Sequence, residues 1–167
     1  MVNFALTRLK VQGTGTFLLE GIYLRRTAAN GTAKWGSGTL DELPVILVVE
    51  DEPLIQSFVE EALGDGGFEP DVTPSGEEAV TLLKGHKGKY RALVTDINLQ
   101  GKMDGWEVAQ HAREIDPAFP VVYMSGAAAA DWASKGVPNS IMLSKPFAPA
   151  QLLTAVSNLL NNGTPTA

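Results

Sequence analysis

Short apolar runs alternate five times with stretches of helical periodicity. Val45-Ile46-Leu47-Val48-Val49 is an unbroken, β-branched-rich run, the mark of a strand buried on both faces. Pro53 suits a first helical turn, and Leu54, Ile55, Phe58, Val59, Ala62 and Leu63 follow at helical spacing until Gly64, Gly66 and Gly67. A short strand is expected near Phe68–Thr73. Ser75 and Glu78 then form a capping box for a second helix carrying Ala79, Val80, Leu82 and Leu83. Ala92-Leu93-Val94-Thr95 reads as the third strand. Asp104 caps a third helix bearing Trp106, Val108, Ala109, Ala112 and Ile115. Pro120–Met124 is a strand, Ala127–Lys135 a weak, Ala-rich helix, and Ile141-Met142-Leu143 the fifth strand. Pro149 opens a last helix with Leu152, Leu153, Val156, Leu159 and Leu160 on one face. Strict alternation of five strands and five helices predicts an α/β doubly wound parallel sheet, with its site beyond the carboxyl ends of the strands.

Residues 1–43 are Gly- and Thr-rich and poorly patterned. A strand within Thr16–Leu24 and a loose linker over Thr27–Gly38 are expected. A tail that need not be ordered, a small hairpin and a connector left from an upstream domain all fit. The expected organisation is therefore 1–43 tail or connector, 44–162 folded domain and 163–167 a C-terminal tail.

Composition narrows the chemistry. The 167 residues contain no cysteine and two histidines, which excludes disulfides, thiol nucleophiles and thiolate zinc sites. No apolar run approaches the ~18 residues of a membrane span, and no signal peptide is evident, so a cytoplasmic protein without membrane contact is expected. Residues 1–43 carry a net charge of +2 and the remainder −8. An acidic body argues against direct nucleic-acid binding and tolerates a divalent cation.

Each strong strand ends in a chemically capable residue. Glu50, Asp51 and Glu52 follow the first, Asp96 ends the third, Ser125-Gly126 the fourth, and Lys145-Pro146 follows the fifth. In a parallel sheet these ends share one edge. Two unit charges 4 Å apart repel by about 4 kcal/mol at an effective dielectric of 20, so such crowding calls for positive charge. Lys145 offers one unit, and Mg²⁺ held by carboxylate oxygens offers two. That set suits a phosphoryl group, with Asp96 as nucleophile and Lys145 and Ser125 stabilising the transferring oxygens. Taken singly, each has an ordinary reading: Asp96 as turn or cap, Glu50 and Glu52 as first-turn acids, Lys145 as a surface lysine, Ser125-Gly126 as a turn. Their joint placement favours the chemical one. His86 and His111 read as solvated, Trp106 as core, and Gly13-Thr14-Gly15 as too short for a phosphate loop.

Residues 45–160 resemble the receiver domain of bacterial two-component response regulators. The resemblance lies in Ile46–Pro53, Leu93–Leu99, Met103–Glu107, Val122–Gly126 and Ser144-Lys145-Pro146-Phe147, in matching order and spacing. It implies a flavodoxin-like sheet of order 2-1-3-4-5. It makes Asp96 the phosphoacceptor, Asp51 and Asp96 direct ligands of Mg²⁺ (or Mn²⁺), and Asn98 a ligand through its backbone carbonyl. Glu50 acts through water, Ser125 is the switch hydroxyl, and Lys145 is the family's lysine before a proline that often follows a cis peptide bond. Two departures stand out. Met142 occupies the aromatic switch position, which removes aromatic rotation as the readout, and Ala127 stands where many relatives carry a larger polar residue.

The implied partners are a histidine kinase or histidine phosphotransfer protein, and an unknown downstream protein. A phosphorylation-dependent homodimer is left open. With only Asn161–Ala167 after the last helix, a stand-alone receiver that is not an enzyme is expected. The alternatives are a Mg²⁺-dependent aspartyl-phosphate phosphohydrolase, disfavoured by Asn at position 98 and the lack of a cap insertion, and the detached receiver of a hybrid histidine kinase.

Overall fold

The computed structural model describes residues 10–12, 16–19, 22–27, 34–38 and 43–162. The chain divides into two compact units, Met1–Glu42 and Leu43–Ala167.

In the first unit, β1 (Lys10–Gln12), β2 (Thr16–Leu19), β3 (Ile22–Thr27) and β4 (Lys34–Gly38) form an antiparallel sheet in sequential order. The strand expected within Thr16–Leu24 is two strands, with Leu19 paired to Ile22. Lys34–Gly38, expected within a linker, pairs in register with Tyr23–Thr27. Cross-strand pairing decides this, and local composition carries no trace of it. The Gly13-Thr14-Gly15 segment and the 163–167 tail lie outside the described residues.

The second unit is built from β5 (Val45–Val49), α1 (Pro53–Asp65), β6 (Glu69–Thr73), α2 (Gly76–Gly85), β7 (Tyr90–Asp96), α3 (Gly105–Ile115), β8 (Val121–Ser125), α4 (Trp132–Lys135), β9 (Ile141–Ser144) and α5 (Pro149–Asn162). All strand pairs are parallel, in the order β6-β5-β7-β8-β9. Within the domain this is 2-1-3-4-5, the doubly wound arrangement expected from the alternation.

Alternation along each strand sends side chains to opposite faces. Ile46, Val48, Ala92, Val94, Val122 and Met124 pack with Val59 and Leu63 of α1 and Leu152 and Val156 of α5. Leu47, Val49, Leu93, Val121 and Tyr123 pack with Ala79 and Leu83 of α2 and Val108 and Ala112 of α3. Full burial of one such aliphatic side chain contributes about 1.5–3 kcal/mol. The sheet is thus a rigid two-sided core whose carboxyl edge is a fixed platform.

Helix ends follow local chemistry, with two differences from expectation. On α2 the first half of the expected box forms, Ser75 Oγ accepting the Glu78 N–H at 3.3 Å. The reciprocal box appears on α3: Asp104 Oδ1 accepts the Glu107 N–H at 2.9 Å, and Glu107 Oε2 accepts the Asp104 N–H at 3.0 Å. The Ala-rich helix expected over Ala127–Lys135 shrinks to a 3-10 turn, Ala128–Asp131, and the four-residue α4. None of those four residues is buried and Asp131 supplies no side-chain cap, so little holds a longer helix. Gly136 stops it. A Cβ there would stand 2.4 Å from Cδ1 of Trp132, whose indole N–H donates to Ser140 Oγ at 3.0 Å.

Candidate functional site

The carboxyl edge collects the acids. Glu50 continues the alternation of Ile46 and Val48, and Asp96 that of Ala92 and Val94, on neighbouring strands where Val49 pairs with Thr95. Glu50 is 1% exposed and Asp96 5%. One carboxylate oxygen from each of Glu50, Asp51 and Asp96 lies within 4.8 Å of the others.

Lys145 arrives from the end of β9, held by its backbone N–H on the Ser125 carbonyl at 2.8 Å. Its ammonium stands 2.7 Å from Glu50 Oε2 and 2.8 Å from Asp96 Oδ1. The Lys145–Pro146 peptide is cis. The other Asp96 oxygen accepts the Asn98 N–H at 2.9 Å, which anchors the loop after β7 to the carboxylate. Ser125 is buried, and its hydroxyl accepts the Ala127 N–H at 3.2 Å. Met142, half-buried, pairs in register with Tyr123 two residues before Ser125.

Electrostatics follow burial. Burial drives the Glu50 pKa up, the Asp96 charge adds to this, and Lys145 opposes it without winning. For Lys145, burial alone would lower the pKa, but hydrogen bonds with Asp96 and Glu50 outweigh it and hold the ammonium above the ordinary lysine value. Three carboxylates thus face one lysine. Hard oxygen donors gathered this closely, with charge incompletely offset, fit a divalent cation such as Mg²⁺.

Gly105 lets α3 reach this edge. Its N–H donates to the Ile97 carbonyl at 3.0 Å, and a Cβ there would stand 2.0 Å from the Asp96 carbonyl oxygen. Any larger residue would push α3 away from the phosphoacceptor candidate.

A response regulator receiver domain model matches residues 46–157. The chain belongs to this family. Among solved structures, a response regulator receiver protein from Sinorhizobium medicae WSM419 is 49% identical, with a TM-score of 0.70 over 72% of this chain and 96% of that one. Response regulator receiver protein CpdR of Brucella abortus is 31% identical over 69% of this chain and 95% of its own length. The receiver domain of sensor histidine kinase PA1611 from Pseudomonas aeruginosa PAO1 shares the fold at 23% identity and a TM-score of 0.62, over 71% of this chain and 98% of that one. That structure has a magnesium ion coordinated in its active site cleft. The chain spans about half the length, between 46% and 56%, of several transcriptional regulators it also matches.

In this receiver domain the structure brings Glu50, Asp51, Asp96 and Lys145 together. Ser125 joins Lys145 through its backbone carbonyl, and Asn98 joins Asp96 through its backbone N–H. Glu52 is exposed, and its N–H donates to Glu50 Oε1 at 3.2 Å. His86 is exposed after α2, His111 pairs with Glu114 at 2.8 Å on the outside of α3, and Trp106 is 5% exposed against Tyr123. Sequence reasoning passed over Gln56, whose amide donates to the Glu50 carbonyl, and Glu77, which reaches the loop after β7. No short motif marks either: Gln56 reaches back six positions to a backbone carbonyl, and Glu77 acts across 25 positions of chain. Among the described residues no helix is long and apolar enough to cross a membrane.

Proposed function

We propose that this receiver accepts a phosphoryl group on a carboxylate oxygen of Asp96. The observation that carries the reading is that Asp96, buried at the strand edge, sits 2.8 Å from Lys145 and beside Glu50 and Asp51. The donor is a phosphohistidine of a histidine kinase or phosphotransfer protein. The P–N bond breaks, a P–O bond to Asp96 forms, and the imidazole leaves with its electron pair. Lys145 releases part of its hold on Asp96 and pairs with a phosphoryl oxygen. The Ser125 hydroxyl turns from accepting the Ala127 N–H to donating to another.

Asp51, Asp96 and the Asn98 carbonyl would hold Mg²⁺ or Mn²⁺, with Glu50 acting through water. Bound there, the cation supplies charge that offsets the phosphoryl oxygens. In this reading the chain turns over no external substrate, works in the cytoplasm, and signals by altered docking, homodimerisation or onward transfer.

The test is incubation of the full chain with acetyl phosphate, with and without Mg²⁺, read by intact mass. The expected result is one added phosphoryl group in Mg²⁺ that is absent from Asp96→Ala. No gain in wild type, or an equal gain in the variant, would overturn the reading.

A further inference from the structure

The loop between β7 and α3 carries Asn98, and its position depends on more than its two ends. At its start Asn98 N–H is tied to Asp96 Oδ2, and at its end Gly105 N–H is tied to the Ile97 carbonyl. Gln100, Gly101 and Lys102 between them are exposed. Their tether comes from a different element. Glu77, in the first turn of α2, accepts the Lys102 N–H on Oε1 at 2.9 Å, across 25 positions of chain.

The contact is close and shaped. Gly101 has φ of +139°, and a Cβ on it would stand 3.1 and 3.3 Å from the two Glu77 carboxylate oxygens. The carboxylate therefore lies over the bare α-carbon of Gly101. Next to it, a Cβ on Gly76 would stand 3.0 Å from the Met103 carbonyl oxygen and 2.9 Å from Val108 Cγ2. Two consecutive residues of α2 are thus fitted against the loop. Hydrogen bonds from the Lys102 and Glu77 N–H groups, with a smaller one from Met103, hold the Glu77 pKa below the usual range.

We infer that Glu77 is a positioning residue for the metal site: its carboxylate clamps the 100–102 turn and so fixes where the loop presents the Asn98 carbonyl. The inference rests on the phosphoacceptor reading above and assigns it a residue that touches neither the metal nor the phosphoryl group. Partners that orient a metal ligand typically change affinity by about 10–100-fold when removed, and a single exposed tether belongs at the lower end.

The test compares wild type with Glu77→Ala and Glu77→Gln in the full chain. Mg²⁺ affinity is measured by titration calorimetry, and exchange of the Lys102 amide by NMR. Phosphorylation from acetyl phosphate is followed at saturating Mg²⁺. Glu77→Ala is expected to weaken Mg²⁺ about tenfold and to speed Lys102 exchange, while saturated phosphorylation stays near wild type. Glu77→Gln, which keeps an acceptor oxygen, is expected to recover most of the affinity. Unchanged Mg²⁺ affinity in Glu77→Ala would overturn the role, even if its thermal stability fell. So would failure of Glu77→Gln to recover affinity. Wild type that binds no Mg²⁺ and takes no phosphoryl group would overturn the phosphoacceptor reading as well, so the two failures are distinguishable.

Discussion

Lys145 reaches 95 positions back along the chain to place its ammonium 2.7 Å from Glu50 Oε2. The Glu50 side chain is 2% exposed and that of Lys145 21%. The pair is therefore a buried acid neutralised from a partly solvated side. Removing the lysine strands a buried charge, which is costly because little water can replace the partner.

Lys145→Met is expected to lower stability by about 3 kcal/mol in metal-free buffer, the low end for breaking a buried pair given the exposure of the lysine. Adding Glu50→Gln should recover part of this loss, because it removes one of the two buried charges that the lysine had paired and leaves Asp96 as the other. Urea unfolding of both single variants and the double variant checks it. A double variant as unstable as Lys145→Met would refute the electrostatic account.

Gly105→Ala would force a Cβ to within 2.0 Å of the Asp96 carbonyl oxygen, a backbone atom that cannot swing aside. The expected cost is about 3 kcal/mol, the upper end for overpacking. Phosphorylation should slow as well, since α3 and the Asp96 segment must separate. Wild-type stability by urea unfolding would show that the helix has room to shift.

Away from the site, the Asp71 carboxylate accepts from Lys89 Nζ at 2.7 Å and from the Tyr90 hydroxyl at 2.8 Å. The Lys89 hydrogen bond is the main reason its pKa lies below the ordinary 3.8, with Tyr90 adding to it against burial. A depressed acid contributes stability that is present above its unfolded pKa and lost as pH falls through its folded pKa. The difference in stability between wild type and Asp71→Asn should therefore be full above about pH 5 and shrink steadily below 3.8. Unfolding free energies measured across that range decide it, and a gap independent of pH would contradict the assignment.

Tyr123, fully buried with its ring centroid 4.6 Å from that of Trp106 and tilted to it by 53°, accepts the Val137 N–H on its hydroxyl at 3.2 Å. Tyr123→Phe leaves that buried N–H without its partner and should cost about 1–2 kcal/mol. Amide exchange should show Val137 losing protection first, together with Ser140, whose hydroxyl donates to the Val137 carbonyl at 2.6 Å. Uniform destabilisation with Val137 still protected would mean that the segment after α4 is held by other contacts.

Much of the receiver is legible in the linear chain because its causes are local. A short, continuous, β-branched-rich run such as Ile46–Val49 reads as a strand covered on both faces. Pro53, Ser75 and Asp104 mark helix starts through capping chemistry that acts within one turn. The residue type ending each strand is likewise visible, which is why Asp96, Ser125 and Lys145 stand out before any coordinates. The Ala-rich stretch before Gly136 misled because propensity favours a helix there, while none of the four residues of α4 is fully buried to hold a longer one. In the first unit Lys34–Gly38 looked like linker because its strand exists through pairing with Tyr23–Thr27.

Distance in space had to come from the fold. That β5 lies between β6 and β7 puts Glu50 beside Asp96, and the pairing of β9 with β8 brings Lys145 onto both. The Glu77 clamp on Lys102 joins the start of α2 to the loop after β7, and the two sequences say nothing of each other. Local periodicity and capping act over a few residues and survive in the string of letters. Convergence of charges depends on long-range strand pairing and close packing, which exist once the chain has closed on itself.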